Sequence, residues 1–170
     1  MLIRQEEPKD YEIVYHVIKD AFDSAERSDG NEADLVNALR QGEAFIPELS
    51  LVAELDGKIV GHILFTRSAV GTNTVLVLAP LSVVPAYQRK GVGISLIREG
   101  HKIARESGYE YSIVLGSQHY YAKAGYLPAD QFGIKPSFAV PKENFMAYKI
   151  KNDASELHGI LKYAKEFGID

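Results

Sequence analysis

The stretch that does most to restrict the fold is Val75–Val84 together with the turn that follows it, Pro85 to Gly93. Val75–Val84 carries no charge and a single hydroxyl, Ser82, as a central strand covered on both faces requires. Gly91 and Gly93 come next, one residue apart, and a helical pattern starts at once, runs to Ser107 and stops at Gly108. A helix start offers backbone N–H groups without internal acceptors and a partial positive charge. The glycines admit a phosphate close to the backbone, and Arg89 and Lys90 add positive charge. The expectation is a pyrophosphate cradle at Gln88–Gly93 that continues into Ile94 and Ser95.

The remaining elements place that turn within one domain over residues 1–170. Ile13, Val14, Val17, Ile18, Ala21 and Phe22 fall at helical spacing behind Pro8, a first-turn residue. A shorter helix is expected from an Asn31 cap to Arg40, stopped by Gly42. Leu51–Leu55, Asp56-Gly57 and Lys58–Thr66 read as a hairpin. Tyr111–Leu115 reads as a buried strand, Gln118–Ala124 as a short helix, and Phe145–Ile150 as a late strand. Asp153 and Glu156 resemble a capping box, which predicts an extra helix over 153–167 with Leu157, Ile160, Leu161 and Ala164 buried, outside a core of about 1–150. The hairpin is antiparallel and the strand–helix–strand from Val75 to Leu115 is a parallel crossover. The predicted class is α/β, with helices on both faces of a central mixed sheet.

Spacing separates three kinds of phosphate binder. The turn has no Gly-x-x-x-x-Gly-Lys-Ser/Thr, which excludes a P-loop. A dinucleotide fingerprint needs a third glycine where Leu96 stands and an acid where the next strand ends in Leu115-Gly116, so a nucleotide-dependent oxidoreductase is disfavoured. What remains is Gln/Arg-x-x-Gly-x-Gly/Ala, met by Gln88, Gly91 and Gly93. It resembles the acetyl-CoA signature of the GNAT superfamily. Tyr120-Tyr121-Ala122-Lys123-Ala124-Gly125-Tyr126 is similar to that family's second motif, in the right order and at the right distance. Gly61–Phe65, Ala79–Val83 and Phe145–Ala147 resemble the YhbS-type acetyltransferases of bacteria.

The resemblance implies a GNAT-like fold and N-acetyltransferase activity: direct attack by a primary amine of a small molecule or peptide on acetyl-CoA in a ternary complex. It places the cofactor against Leu81, Ser82 and Val83, whose backbone pairs with the pantetheine arm and holds the oxyanion, and against Gln88, Arg89, Lys90, Gly91, Val92, Gly93, Ile94 and Ser95. Tyr121 is the implied acid for the leaving thiolate, or else a ring that packs or only hydrogen-bonds the cofactor, while Tyr120 and Tyr126 are assigned to the core. Two departures stand out. No Asn precedes the tyrosine to hold the pantetheine arm, leaving Ser117 or Gln118, and no carboxylate lies on Val75–Val84 to serve as base. His62 is the first base candidate, ahead of Glu54 and His119, and a hydrogen-bonded structural imidazole is the alternative. Asp23, Glu26 and Asp29 could draw a cationic amine, or form a solvated loop, and Phe132, Phe138 and Phe145 either line the acceptor cleft or belong to the core. A non-catalytic CoA or acyl-CoA sensor on the same fold is the second functional class.

Net charge of −4 argues against nucleic acid, and the absence of cysteine excludes disulfides and thiolate metal sites. No metal cluster is expected, and the opening residues lack a signal-peptide pattern. The predicted setting is the cytoplasm, away from membranes, as a monomer or homodimer.

Overall fold

A computed structural model describes residues 1–23 and 30–169; Glu26 and Asp29 lie outside the described residues. The chain forms β1 (Leu2–Gln5), α1 (Tyr11–Asp23), α2 (Glu32–Arg40), β2 (Phe45–Leu55), β3 (Lys58–Val70) and β4 (Asn73–Val83). It continues through α3 (Val92–Glu106), β5 (Tyr111–Leu115), α4 (Gln118–Ala122), β6 (Leu127–Pro128), β7 (Ile134–Lys135), β8 (Phe145–Lys149) and β9 (Gly159–Lys162). The main sheet runs β1-β2-β3-β4-β5-β8-β6, and β4 and β5 are its parallel pair. The hairpin, the crossover and the mixed sheet are as the sequence predicts.

Alternation along the central strands divides the core between the two faces. Leu51 and Ala53 of β2 and Ile63 and Phe65 of β3 pack with Leu96 and Ile97 of α3. Their neighbours Val52 and Leu64 pack with Val14 and Ile18 of α1 and Val36 and Leu39 of α2. Each of the fully buried Val, Leu, Ile and Phe side chains among them contributes roughly 1.5–3 kcal/mol by leaving water. Farther along the α1 face, Val75, Val77, Ile113 and Ala147 are covered by Ala129, Ile134, Leu157 and Leu161 rather than by a helix.

Phe145 belongs to this second cluster, and Phe132 packs edge-on against Tyr111 with centroids 5.7 Å apart, so both are core. Phe138 packs beside Tyr163, at 6.1 Å.

The helix expected over 153–167 does not form. Leu157 and Leu161 are buried at 2% and 0% exposure, but Ile160 between them is 57% exposed, an alternation that suits a strand and breaks the helical stripe. The cause is tertiary. β2 leaves β3 after Phe45↔Thr66, which opens the far end of β3 along that edge. β9 fills the edge through Ala69↔Lys162 and Val70↔Leu161, and pairs on its other side with β7. Backbone groups that would otherwise be buried unpaired outweigh the local capping pattern. β1, invisible to periodicity at four residues, is held in the same way by four register pairs to β2.

Candidate active site

β4 and β5 stay together for two register pairs only, Leu76↔Ser112 and Val77↔Ile113. Beyond them the strands part, so the edge of β4 toward Val83 has no partner strand on the β5 side among the described residues. A cleft of about 770 Å³ opens there, lined by Leu81 and Val83 of β4, the turn Tyr87–Arg89, the start of α3 at Gly91–Ile94, and Tyr120, Tyr121 and Lys123 around α4.

The turn is built to expose backbone donors. Arg89 and Gly91 both adopt left-handed conformations, with φ of 63° and 85°. Glycine takes that geometry freely, while Arg89 holds it at a cost of roughly 1 kcal/mol. The N–H of Ser95 reaches the carbonyl of Gly91 at 3.1 Å and closes the first turn of α3. The N–H groups of Val92, Gly93 and Ile94 precede it, have no acceptor within the helix, and border the cleft. The Gln88 side chain braces the turn by donating from Nε2 to the Val83 carbonyl at 2.9 Å. Gly93 is required by its neighbour: a Cβ there would collide with the Tyr120 hydroxyl.

Of the residues expected to contact a cofactor, Leu81, Val83, Gln88, Arg89, Gly91, Val92, Gly93, Ile94 and Tyr121 line the cleft. Three do not. The Ser82 side chain is buried at 1% exposure on the sheet's other face, leaving its backbone alone on the cleft strand. Lys90 turns its ammonium toward the Tyr87 ring, 5.6 Å from the centroid. Ser95 points away, toward Met1 and Ile3. Tyr87, Tyr120 and Lys123 line the cleft without having been assigned to it. The second motif's own spacing already placed Lys123 one turn from Tyr120.

Tyr120 is therefore a cleft residue rather than a core ring. Tyr126 is core: it is 1% exposed, and its hydroxyl bonds His101 Nε2 at 2.9 Å and Ser112 Oγ at 2.8 Å. Tyr121 packs edge-on against Tyr120 and Tyr126. Burial raises the Tyr121 and Tyr120 phenols above their ordinary value, so both are protonated donors at neutral pH. No Asn lines the cleft among the described residues. Asn144 instead donates to the Gly116 carbonyl at 2.9 Å, and Ser117 caps α4 by accepting from the Tyr120 N–H at 3.2 Å.

None of the three base candidates lines the cleft. His62 is fully buried beside Ser50 and Glu6, where desolvation lowers its imidazole to about 4. Glu54 accepts from Arg4 at 3.1 Å, and His119 is exposed.

A strand leading into a helix whose first N–H groups border a cleft beside a parted sheet is a geometry suited to a phosphate-bearing ligand. Comparison gives the family: residues 11–126 match the acetyltransferase (GNAT) family, and the chain belongs to it, an acyltransferase of the N-acetyltransferase type. It is 42% identical over 118 residues to the uncharacterised N-acetyltransferase YjhQ of Escherichia coli K12, a match covering 66% of this chain and 65% of YjhQ. The crystal structure of Escherichia coli YhbS in complex with CoA superposes with a TM-score of 0.88 at 27% identity, covering 98% of this chain and 91% of YhbS. A GNAT acetyltransferase from Brucella melitensis in complex with acetyl-CoA gives a TM-score of 0.80 at 33% identity, covering 98% and 97%. No helix of the described residues is long and apolar enough to cross a membrane.

Proposed function

We propose that the cleft binds acetyl-CoA and that the chain transfers the acetyl group to a primary amine of a small molecule or peptide in a ternary complex. The observation that carries this reading is the glycine cradle itself, with three N–H groups at the start of α3 that lack a helix acceptor and face the unpartnered edge of β4. The fit to the cofactor is physical: a Cβ built at Gly91 would meet nothing within 4 Å, so the backbone there is open to a ligand, and the donors at the start of α3 suit a pyrophosphate. The YhbS and Brucella complexes, which hold CoA and acetyl-CoA, support it.

Acetyl-CoA would supply an activated acyl group as a thioester. The N–H groups of Val92, Gly93 and Ile94 bind the pyrophosphate, and Arg89 and Lys123, which also line the cleft, add positive charge. The β4 backbone at Leu81–Val83 hydrogen-bonds the pantetheine arm and offers an N–H toward the carbonyl oxygen. Tyr121, kept protonated by burial, donates its proton to the departing sulfur. Holding both reactants together lowers the entropic part of the barrier. Cytoplasmic location, a single domain and a monomeric or dimeric state belong to the same proposal.

One observation favours a second reading. Among the described residues the cleft lining contains no Asp, Glu or His, as a CoA or acyl-CoA sensor would allow. Calorimetric titration with CoA and acetyl-CoA, with NADH and ATP as controls, tests the shared step. Selective binding of both CoA species is expected, and a folded protein that binds neither would overturn both readings. Tyr121→Phe then separates them: an enzyme keeps CoA affinity and loses roughly 10²-fold or more in kcat, whereas a sensor has no turnover to lose.

A further inference from the structure

Tyr121 is the acid of the proposed transfer, and a phenol protonates a departing sulfur well only if its ring is held in place. Three neighbours bracket that ring. Tyr120 and Tyr126 pack edge-on against it, with centroids 5.1 and 5.6 Å away. Gly116 forms the third wall: a Cβ built there would stand 2.5 Å from Tyr121 Cε2 and 3.1 Å from Cδ2. Gly116 does not take a positive φ, so close approach of the ring, not backbone conformation, excludes a side chain.

Each wall has its own anchor. The Tyr126 hydroxyl is tied to His101 Nε2 and Ser112 Oγ, and the Tyr120 hydroxyl rests against Gly93. Gly116 has no side chain to tie down, and it stands just past the end of β5, where β4 has already parted from that strand. Its anchor is Asn144, in the turn at 142–144 that leads into β8. The Gly116 N–H donates to the Asn144 carbonyl at 2.9 Å, one step beyond the last β5–β8 register pair, Leu115↔Phe145. In return Asn144 Nδ2 donates to the Gly116 carbonyl at 2.9 Å. One residue thus holds both polar groups of the glycine.

The next residue, Ser117, starts α4. Its carbonyl accepts from the Tyr121 N–H at 3.0 Å, and its hydroxyl from the Tyr120 N–H at 3.2 Å. A shift of Gly116 therefore reaches Tyr121 twice, through the ring contact and through the backbone of α4. Asn144 itself does not line the cleft. We infer that Asn144 is a positioning residue: its double grip on Gly116 keeps the Tyr121 ring where its hydroxyl meets the cofactor sulfur. This inference rests on the acyltransfer reading above, with Tyr121 as its acid.

The Asn144 carbonyl is main chain and survives substitution, so Asn144→Ala and Asn144→Asp remove the side-chain bond alone; a carboxylate has no hydrogen to give the Gly116 carbonyl. The chain has no cysteine, so the sulfur of bound CoA is the only thiol present. Its ionisation can be followed by the 13C shift of the carbon beside the sulfur, with protein in excess. A phenol that donates to the sulfur favours the thiolate and lowers its pKa.

The bound thiol should have a pKa higher by about 1 in Tyr121→Phe than in wild type, the size of one hydrogen bond to a charged group. Asn144→Ala and Asn144→Asp should each give roughly half or more of that rise, and add nothing in a Tyr121→Phe background. Gly116→Ala, which crowds the ring without touching the Asn144 side chain, should raise the pKa as well. Calorimetric CoA affinity at neutral pH should stay within about threefold of wild type in the Asn144 variants. Without CoA, a nuclear Overhauser contact between the Gly116 α protons and the Tyr121 ring should be present in wild type and weaker in Asn144→Ala.

A thiol pKa that the Asn144 substitutions leave unchanged, or raise equally with and without the Tyr121 hydroxyl, overturns the inference. So does CoA binding weakened by about tenfold or more, which would make Asn144 a support of the whole cleft. Where the Asn144 variants fail to fold, a wild-type pKa in Gly116→Ala or an absent wild-type contact has the same force. Wild type that binds no CoA removes the acyltransfer reading itself, a failure distinguishable from one at Asn144.

Discussion

The contact between Gly93 and Tyr120 couples the two motifs that face each other across the cleft. A Cβ at position 93 would collide with the Tyr120 oxygen but stand 3.4 Å from its Cζ, an ordinary contact distance. Gly93→Ala alone should therefore push the ring or the start of α3 aside and weaken CoA binding by roughly tenfold or more, as misplaced donors lose their hydrogen bonds. Gly93→Ala combined with Tyr120→Phe should recover most of that affinity, because the clashing oxygen is gone. Calorimetry on the two single variants and the double variant gives the coupling directly; a double variant no better than Gly93→Ala would mean that the backbone at 93 is the obstacle. Gly91 and Gly93 are legible in the sequence because they stand at the head of a helix, whereas the ring that requires Gly93 lies in the other motif. For the same reason sequence reasoning assigns Tyr120 to the core. Adjacent tyrosines on a short helix carry no mark of which one turns toward the cradle.

Among the elements, β9 shows how a local signal loses to a neighbour's open edge. Leu157 and Leu161 are four apart, a spacing that fits both a helical stripe and one face of a strand, and only the exposure of Ile160 tells the two apart. Leu161 is fully buried against the end of β3, so Leu161→Ala should cost about 2–5 kcal/mol, read as a lower midpoint in urea. Amide exchange offers an independent check. The N–H groups of β9 that pair with β3 should exchange slowly, with backbone chemical shifts of a strand over 159–162; helical shifts there would contradict the pairing. The strong elements needed no such help. α1, the β2–β3 hairpin, β4 and α3 each carry enough periodicity or turn chemistry to be read alone, with ends displaced by a few residues.

For the molecule as a whole, two buried imidazoles set a pH limit. His62 is lowered to about 4 and His101 to about 3, chiefly by desolvation. His101 is 4% exposed, stacked on Tyr148 at 4.0 Å and bonded to the Tyr126 hydroxyl. In the unfolded chain both would titrate near 6.5. Below that value the unfolded state takes up protons that the folded state refuses, so stability is fully present above about 6.5 and is lost as pH falls toward the folded values. Thermal melts should show Tm declining from about pH 6.5 to about pH 4, and His101→Gln should flatten that slope even if it lowers Tm at neutral pH. An equally steep decline in His62 and His101 variants would assign the acid sensitivity to other groups.

From the sequence alone follow the cradle, the crossover and the sidedness of the central strands, because each is encoded within a few neighbouring residues: glycine spacing at a helix start, apolar runs, alternation. The tertiary structure decided three things that depend on residues far apart in the chain. It parted β4 from β5 after two register pairs, which opens the cleft. It folded 159–162 onto the unpaired end of β3, because buried backbone groups must be bonded wherever their partners lie in sequence. It also enclosed His62 between Ser50 and Ser82, turning a histidine among apolar residues into a neutral ring with one nitrogen bonded and the other free to accept among the described residues. Desolvation acts through what surrounds a group in space, and no local pattern records it.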